Sequence, residues 1–216
     1  MRHLFFDLDG TLTDSAPGIT RCLEHALTTL GRCSPERDSL QCFIGAPLPE
    51  IFAELLETQD ADLIDSALRA YRERFIRVGA SENSVYPGIR EALGALAERG
   101  CSLYVATGKR GPDAQRIVRH FELDAYFRGV HGVEGENRDK ALVLQRALGR
   151  EQLAPVEAVM IGDRSHDVVA ARACGVRCIG VAWGYATLGE LERAAPDVVV
   201  ESPAALVAYL LDPPGA

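Results

Sequence analysis

Asp7 and Asp9 close an apolar run, His3 to Leu8, and are followed by Gly10, Thr11 and Leu12. Two carboxylates two residues apart share one side of an extended segment. Such a pair repels unless a cation lies between the groups or one holds a proton. A hard divalent cation such as Mg²⁺ takes oxygen ligands of this kind. Solvated turn acids are the plainer reading, and the place at the end of a buried strand weighs against it. A second acidic cluster, Gly162-Asp163-Arg164-Ser165-His166-Asp167, follows the apolar Val159, Met160 and Ile161. A helix N-cap role for Asp163 stays open beside a ligand role. Thr107, Gly108 and Lys109 end a third apolar run, where a hydroxyl and backbone N–H groups near a helix start suit an anion. Lys140 opens a helical stretch, where a cation opposes the helix dipole, a placement that hints at a ligand anion.

The cations are themselves unevenly chosen. Of 23 basic residues, only Lys109 and Lys140 are lysines. A compact ammonium serves as a point charge where an arginine fork does not. Two acids, a hydroxyl, a lysine and further acids at successive strand ends are the equipment for phosphoryl transfer through an aspartyl intermediate.

The elements that must position these residues follow from periodicity. Apolar runs at His3 to Leu8, Ser102 to Thr107, Arg128 to His131, Ala158 to Ile161, Cys178 to Val181 and Val198 to Val200 read as strands. Helical patterns alternate with them: Ile89 to Arg99, Asp113 to His120, Asp139 to Leu148, Ser165 to Cys174, Leu188 to Ala195 and Ala204 to Leu211. This alternation predicts an α/β fold with a doubly wound parallel sheet. Between the first and second strands the pattern is helical only. Pro17 to Leu30 and Pro47 to Leu56 read as helices. Ile64, Leu68, Tyr71, Phe75 and Val78 recur at helical spacing. The first strand must join the later sheet, so the expected organisation is a core of residues 1–14 and 85–216 with a helical domain, 15–84, inserted into it. The tail, Asp212 to Ala216, is expected to fray.

Asp7-Leu-Asp-Gly-Thr-Leu-Thr-Asp14 resembles the first motif of the haloacid dehalogenase superfamily. Thr107, Lys140 and Gly162-Asp163-x-x-x-Asp167 resemble its second, third and fourth motifs, in the family's order. The resemblance spans the chain, including a helical cap inserted after the first motif. Gly180 to Tyr185 is similar to the phosphoglycolate phosphatase-like branch. The resemblance implies that Asp7 attacks phosphorus and that Asp9 protonates the leaving alcohol and then activates water. It implies that Thr107 and the Gly108 amide hold phosphoryl oxygens and that Lys140 neutralises charge. Mg²⁺ would be held by Asp7, the Asp9 carbonyl and Asp163, with Asp167 a direct or water-mediated ligand. Family dehalogenases lack an acid at the position of Asp9, so Asp9 favours phosphate over halide. Arg164 departs from the small hydroxyl residue that many members carry there. It is expected as a surface cation, with contact to a second substrate anion as the alternative. The segment Phe43 to Pro47 looks like the family's specificity loop, and a plain helix connection stays beside that reading. The cap is expected to close over the site and exclude water.

Net charge is −8 with a pI near 5.2. Without a basic patch, this disfavours nucleic acid and anionic membranes as partners. No apolar run reaches the roughly 20 residues a bilayer span needs. The six cysteines form no C-x-x-C pair and read as reduced thiols, which suits a cytoplasmic protein. The expected activity is a Mg²⁺-dependent phosphatase for a small phosphorylated metabolite, with 2-phosphoglycolate first. Alternatives are a nucleoside 5′-monophosphatase, a β-phosphoglucomutase-like mutase and a non-catalytic phospho-acceptor or binding protein. A monomer or a homodimer is expected.

Overall fold

The computed structural model describes residues 2–135 and 139–211. The expected frayed tail lies outside them. In chain order the strands are β1 (His3–Phe6), β2 (Thr13–Asp14), β3 (Ser84–Val85), β4 (Ser102–Arg110), β5 (Phe127–Val133), β6 (Ala158–Gly162), β7 (Arg177–Val181) and β8 (Val198–Val200). The α-helices are α1 (Ala16–Thr29), α2 (Arg37–Leu40), α3 (Leu48–Leu55), α4 (Ala61–Arg77), α5 (Ile89–Glu98), α6 (Gly111–His120), α7 (Lys140–Glu151), α8 (Ser165–Ala173), α9 (Glu190–Ala194) and α10 (Pro203–Leu211). The chain divides into two compact units. One holds the residues up to Thr13 and from Val85 onward, and the other is Asp14–Ser84.

The first unit is built on a six-stranded parallel sheet of order β5-β4-β1-β6-β7-β8. The first strand lies in the interior, with His3 in register with Ser102 on one side and Ala158 on the other. Side chains alternate across a strand, so each strand feeds two cores. Phe5, Tyr104, Ala106, Ala158, Met160 and Cys178 pack with Leu144, Ala147 and Leu148 of α7 and Val168 and Ala171 of α8. The Phe5 and Tyr104 rings stack there at 4.8 Å, a contact worth about 1 kcal/mol beyond the area it buries. Leu4, Phe6, Leu103, Val105 and Ile161 alternate to the opposite face and are equally buried. Continuous apolar strands of this kind are what a sheet covered on both faces requires. β2 and β3 form a separate two-stranded sheet.

The second unit is a helical packing of α1 against α4 and α3 against α4. Its core includes Ile19, Leu23, Leu27, Phe52, Leu68, Tyr71 and Phe75. Tyr71 and Phe75, one helical turn apart, stack at 5.8 Å. Asp60 caps α4 by accepting from the Asp62 and Leu63 N–H groups. Glu82 joins Arg21 and Arg74 in ion pairs of 3.0 and 2.7 Å.

The observed elements differ from the expected ones mainly at their ends. β4 continues to Arg110 rather than stopping at Thr107. Its ladder with β5 is irregular there: Ala106 pairs with His131 and Arg110 with Val133, so four steps on β4 meet two on β5. Thr107 to Lys109 stand opposite the single residue Gly132, an excess of two, and this stretch bulges out of the ladder.

Candidate active site

Asp7 stands one residue past β1, and its N–H donates to the Ile161 carbonyl at 2.9 Å. The β1–β6 ladder is thereby carried to the residue that bears the carboxylate. The chain then doubles back. Leu12 and Thr13 N–H groups both donate to the Leu8 carbonyl at 3.0 and 2.9 Å, and Gly10 N–H donates to the Thr13 carbonyl at 2.8 Å. Gly10 takes a φ of +82°, and a Cβ on it would press into the Asp163 carboxylate. A Cβ at Gly162 would likewise press into Asp167. Glycine at these two positions lets backbone and carboxylates close up on one another.

The residues expected to carry chemistry fall into two groups. Asp7, Asp163 and Asp167 each offer a carboxylate oxygen within 4.8 Å of the others, and all three are buried. Lys140 joins this group, with Nζ at 2.7 Å from Asp7 Oδ2 and 2.5 Å from Asp167 Oδ1. Asp9 lies outside the acid triad, and its Oδ2 pairs with Lys109 Nζ at 2.8 Å. Thr107 is buried in the β4 bulge, where its Oγ1 accepts from the Lys109 N–H at 3.3 Å. That arrangement leaves the hydroxyl proton to point elsewhere. Gly108 is exposed, with open space where a Cβ would be.

Asp163 is held from two other loops and Asp167 from the turn before its own helix. Asp163 Oδ1 accepts from Thr11 Oγ1 at 3.0 Å, and its Oδ2 accepts from the Tyr185 N–H at 2.8 Å. Trp183 Nε1 donates to the Thr11 carbonyl at 3.0 Å. Asp167, in the first turn of α8, accepts the Arg164 N–H on Oδ2 at 3.0 Å. Lys140 begins α7, capped by Asp139, whose Oδ1 accepts from the Ala141 N–H at 2.9 Å. A cation at a helix N-terminus is unfavourable by itself, and the two carboxylates offset this.

The electrostatics are unbalanced toward negative charge. Burial pushes the Asp163 carboxyl well above its ordinary range, and the Asp167 and Asp7 charges push it the same way. Burial also raises Asp167, against the pull of Lys140. Burial disfavours the Lys140 charge, yet Asp167 and Asp7 hold its pKa above the usual lysine range. Three carboxylates with one ammonium are short of positive charge. Asp7 Oδ1 and Asp9 Oδ1 are buried and have no hydrogen-bond partner among the described residues. An all-oxygen donor set, a charge deficit and an orphaned carboxylate oxygen fit a hard divalent cation such as Mg²⁺.

Two residues read differently in three dimensions. Arg164 is not the surface cation its sequence setting suggests: its side chain is only 11% exposed and its Nε meets Glu190 Oε1 at 2.9 Å. Glu190 does not stand out in the sequence, although the spacing Thr187-x-x-Glu190 is that of a capping box. It is buried, and its four hydrogen bonds hold together the segments that follow β6 and β7.

Residues 4–181 match the family described as haloacid dehalogenase-like hydrolase, and the chain belongs to that family. It is 43% identical over 196 residues to a 5′-nucleotidase of Pseudomonas aeruginosa, covering 90% of this chain and 88% of that protein. It is 26% identical over 221 residues to a phosphoglycolate phosphatase of Pseudomonas fluorescens, covering 98% and 80%. A solved structure of a predicted phosphatase from Clostridium acetobutylicum superposes with a TM-score of 0.92 at 35% identity, covering 98% of each chain. Among the described residues no helix is long and apolar enough to cross a membrane.

Proposed function

We propose that this phosphoric monoester hydrolase cleaves a small phosphorylated metabolite through a phosphoaspartyl intermediate on Asp7, with Mg²⁺ held by Asp7, Asp163, the Asp9 carbonyl and Asp167. The observation that carries the reading is the Lys140 ammonium bridging Asp7 and Asp167 beside Asp163, with Asp7 Oδ1 unpartnered. When bound, the cation supplies charge neutralisation between the acids and the phosphoryl group.

In the first step an Asp7 carboxylate oxygen forms a bond to phosphorus and the ester P–O bond breaks. Asp9 gives its proton to the departing alkoxide, which leaves as the alcohol. In the second step Asp9 takes a proton from water, the water oxygen bonds to phosphorus and the Asp7–phosphorus bond breaks. Inorganic phosphate leaves and the Asp7 carboxylate is restored. Lys140 orients the Asp7 carboxylate for attack and neutralises negative charge beside it. Thr107 turns its hydroxyl proton, and Gly108 its N–H, toward the phosphoryl oxygens. The helical unit is read as the family's cap, bearing substrate selection.

For the substrate we place a nucleoside 5′-monophosphate ahead of 2-phosphoglycolate, reversing the order drawn from the sequence. The support is that the relative named 5′-nucleotidase is 43% identical, against 26% for the relative named phosphoglycolate phosphatase. Phosphate release from nucleoside 5′-monophosphates, phosphoglycolate, sugar phosphates and phosphotyrosine tests this, run with Mg²⁺, with EDTA and with Asp7→Asn. Metal-dependent release that ranks nucleotides first and disappears in Asp7→Asn is the expected result. Release unaffected by EDTA or by Asp7→Asn overturns the mechanism, and phosphoglycolate ranking first overturns the substrate order.

A further inference from the structure

We propose that Glu190 is a positioning residue for the cation-binding acids, acting as a clamp between the Asp163–Asp167 segment and the loop after β7. The proposal rests on the reading that those acids bind a divalent cation.

Glu190 sits at the start of α9, far in sequence from the acids, and touches neither of them. Its Oε1 accepts from the Ser165 N–H at 2.8 Å and from Arg164 Nε at 2.9 Å. Its Oε2 accepts from the Thr187 N–H at 3.0 Å and from Thr187 Oγ1 at 3.1 Å. One oxygen therefore grips the beginning of α8 and the other grips the loop between β7 and α9. Both gripped segments lead directly to an acid. Arg164 is held at its side chain by Glu190 and at its backbone N–H by Asp167. On the other arm, the loop that Thr187 belongs to supplies the Tyr185 N–H to Asp163. The result is a closed circuit in which one carboxylate sets the separation of the two segments that aim Asp163 and Asp167.

Local reach of three residues, like that of the acid in a capping box, accounts for the Oε2 contact with the Thr187 N–H. It does not account for Oε1. The second oxygen, fully occupied by Arg164 and Ser165 from 26 and 25 residues earlier in the chain, is the part a helix cap has no need of. Outer partners of this kind fix the orientation of metal-binding side chains, and their loss typically costs about 10- to 100-fold in metal affinity.

The test is Mn²⁺ binding to the metal-free full-length chain, followed by electron paramagnetic resonance of the free ion, with thermal melting of the same samples. Wild type, Glu190→Gln, Thr187→Val and, as a control, Asp163→Asn are compared. Glu190→Gln keeps the size of the side chain but removes its charge and replaces one of its oxygens by a donor. We expect its Mn²⁺ dissociation constant to rise at least tenfold and the Mn²⁺-induced rise in melting temperature to shrink. Thr187 is exposed, so Thr187→Val leaves the fold intact and removes a single contact. Its dissociation constant is expected to rise about threefold, the equivalent of one hydrogen bond. A Glu190→Gln protein that melts lower yet binds Mn²⁺ within about twofold of wild type makes Glu190 a purely structural residue and overturns the proposal. If Glu190→Gln does not fold, unchanged Mn²⁺ affinity in Thr187→Val overturns it instead. Absence of Mn²⁺ binding in the wild type defeats the cation reading itself, a failure told apart because it involves no variant.

Discussion

Lys109 Nζ lies 2.8 Å from Asp9 Oδ2, while Lys140 Nζ lies 2.7 Å from Asp7 Oδ2. The only two lysines of an arginine-rich chain thus take Asp9 and Asp7 one each. Both pairs are largely shielded from water. Breaking such a pair by removing one partner is costly, because the other charge stays buried without compensation.

Replacing Lys140 therefore has two effects. Lys140→Ala is expected to lose about 3–5 kcal/mol of stability and to lower phosphate release by roughly a hundredfold or more. Lys140→Arg is expected to recover stability better than activity, since a planar fork cannot occupy the point between Asp7 and Asp167. Urea unfolding and initial rates on the same preparations measure the two effects separately.

Asp7→Asn keeps the shape of the nucleophile and removes its charge. Phosphate release is expected to fall by about 10³-fold or more, as for other enzymes that lose their nucleophile. The variant should stay folded, because Lys140 keeps Asp167 as its partner and the substitution relieves repulsion among three buried carboxylates. A melting curve at or above that of wild type in EDTA checks the second half.

The acid triad predicts a signed response of stability to pH. Asp163 and Asp167 have folded-state pKa values above their unfolded ones. Between those values the folded state holds more protons than the unfolded state, so stability falls as pH rises. From these two groups the melting temperature in EDTA is expected to decline from about pH 4 to pH 8. Mg²⁺ should flatten that decline, because a bound cation replaces the protons. Glu190 runs the other way. Burial opposes its charge, but the Ser165 and Thr187 N–H groups and Arg164 outweigh burial and hold its pKa at about 2. Its contribution is present at neutral pH and is lost as pH falls from about 4.5 toward 2, so Glu190→Gln should lose part of the acid-side slope.

Gly162→Ala tests the close approach at the end of β6. The added methyl would occupy the space of the Asp167 carboxylate. A loss of about 1–3 kcal/mol is expected, together with a weakened response of the melting temperature to Mg²⁺. Gly108→Ala, where a Cβ meets open space, is expected to change stability by no more than about 0.5 kcal/mol.

Much of the sheet was legible because its strands are apolar runs that end abruptly in polar residues or glycine. Ala158 to Ile161 announces β6, and Val198 to Val200 coincides with β8. The acids and Lys140 could be singled out because each stands where an element begins or ends. What stayed hidden depended on partners distant in sequence. Nothing in Gly108-Lys109-Arg110 shows that β4 resumes its ladder after a bulge, since the register is set by His131 and Val133 of β5. Arg164 looked like a surface cation because its partner, Glu190, reads as one more acid in a short helix. Only the spacing from Thr187 carried a local signal.

The interior position of β1 has a consequence for how the molecule is made. This strand leaves the ribosome before every other strand of its sheet, yet its two neighbours are residues 102–105 and 158–161. Until both have been synthesised, Leu4, Phe5 and Phe6 have no complete ladder to join. An apolar segment that waits until residues 158–161 are made is a hazard for misassociation, and contacts this distant slow folding. The strand that carries Asp7 is thus the earliest part of the sheet to be synthesised and among the last to be enclosed.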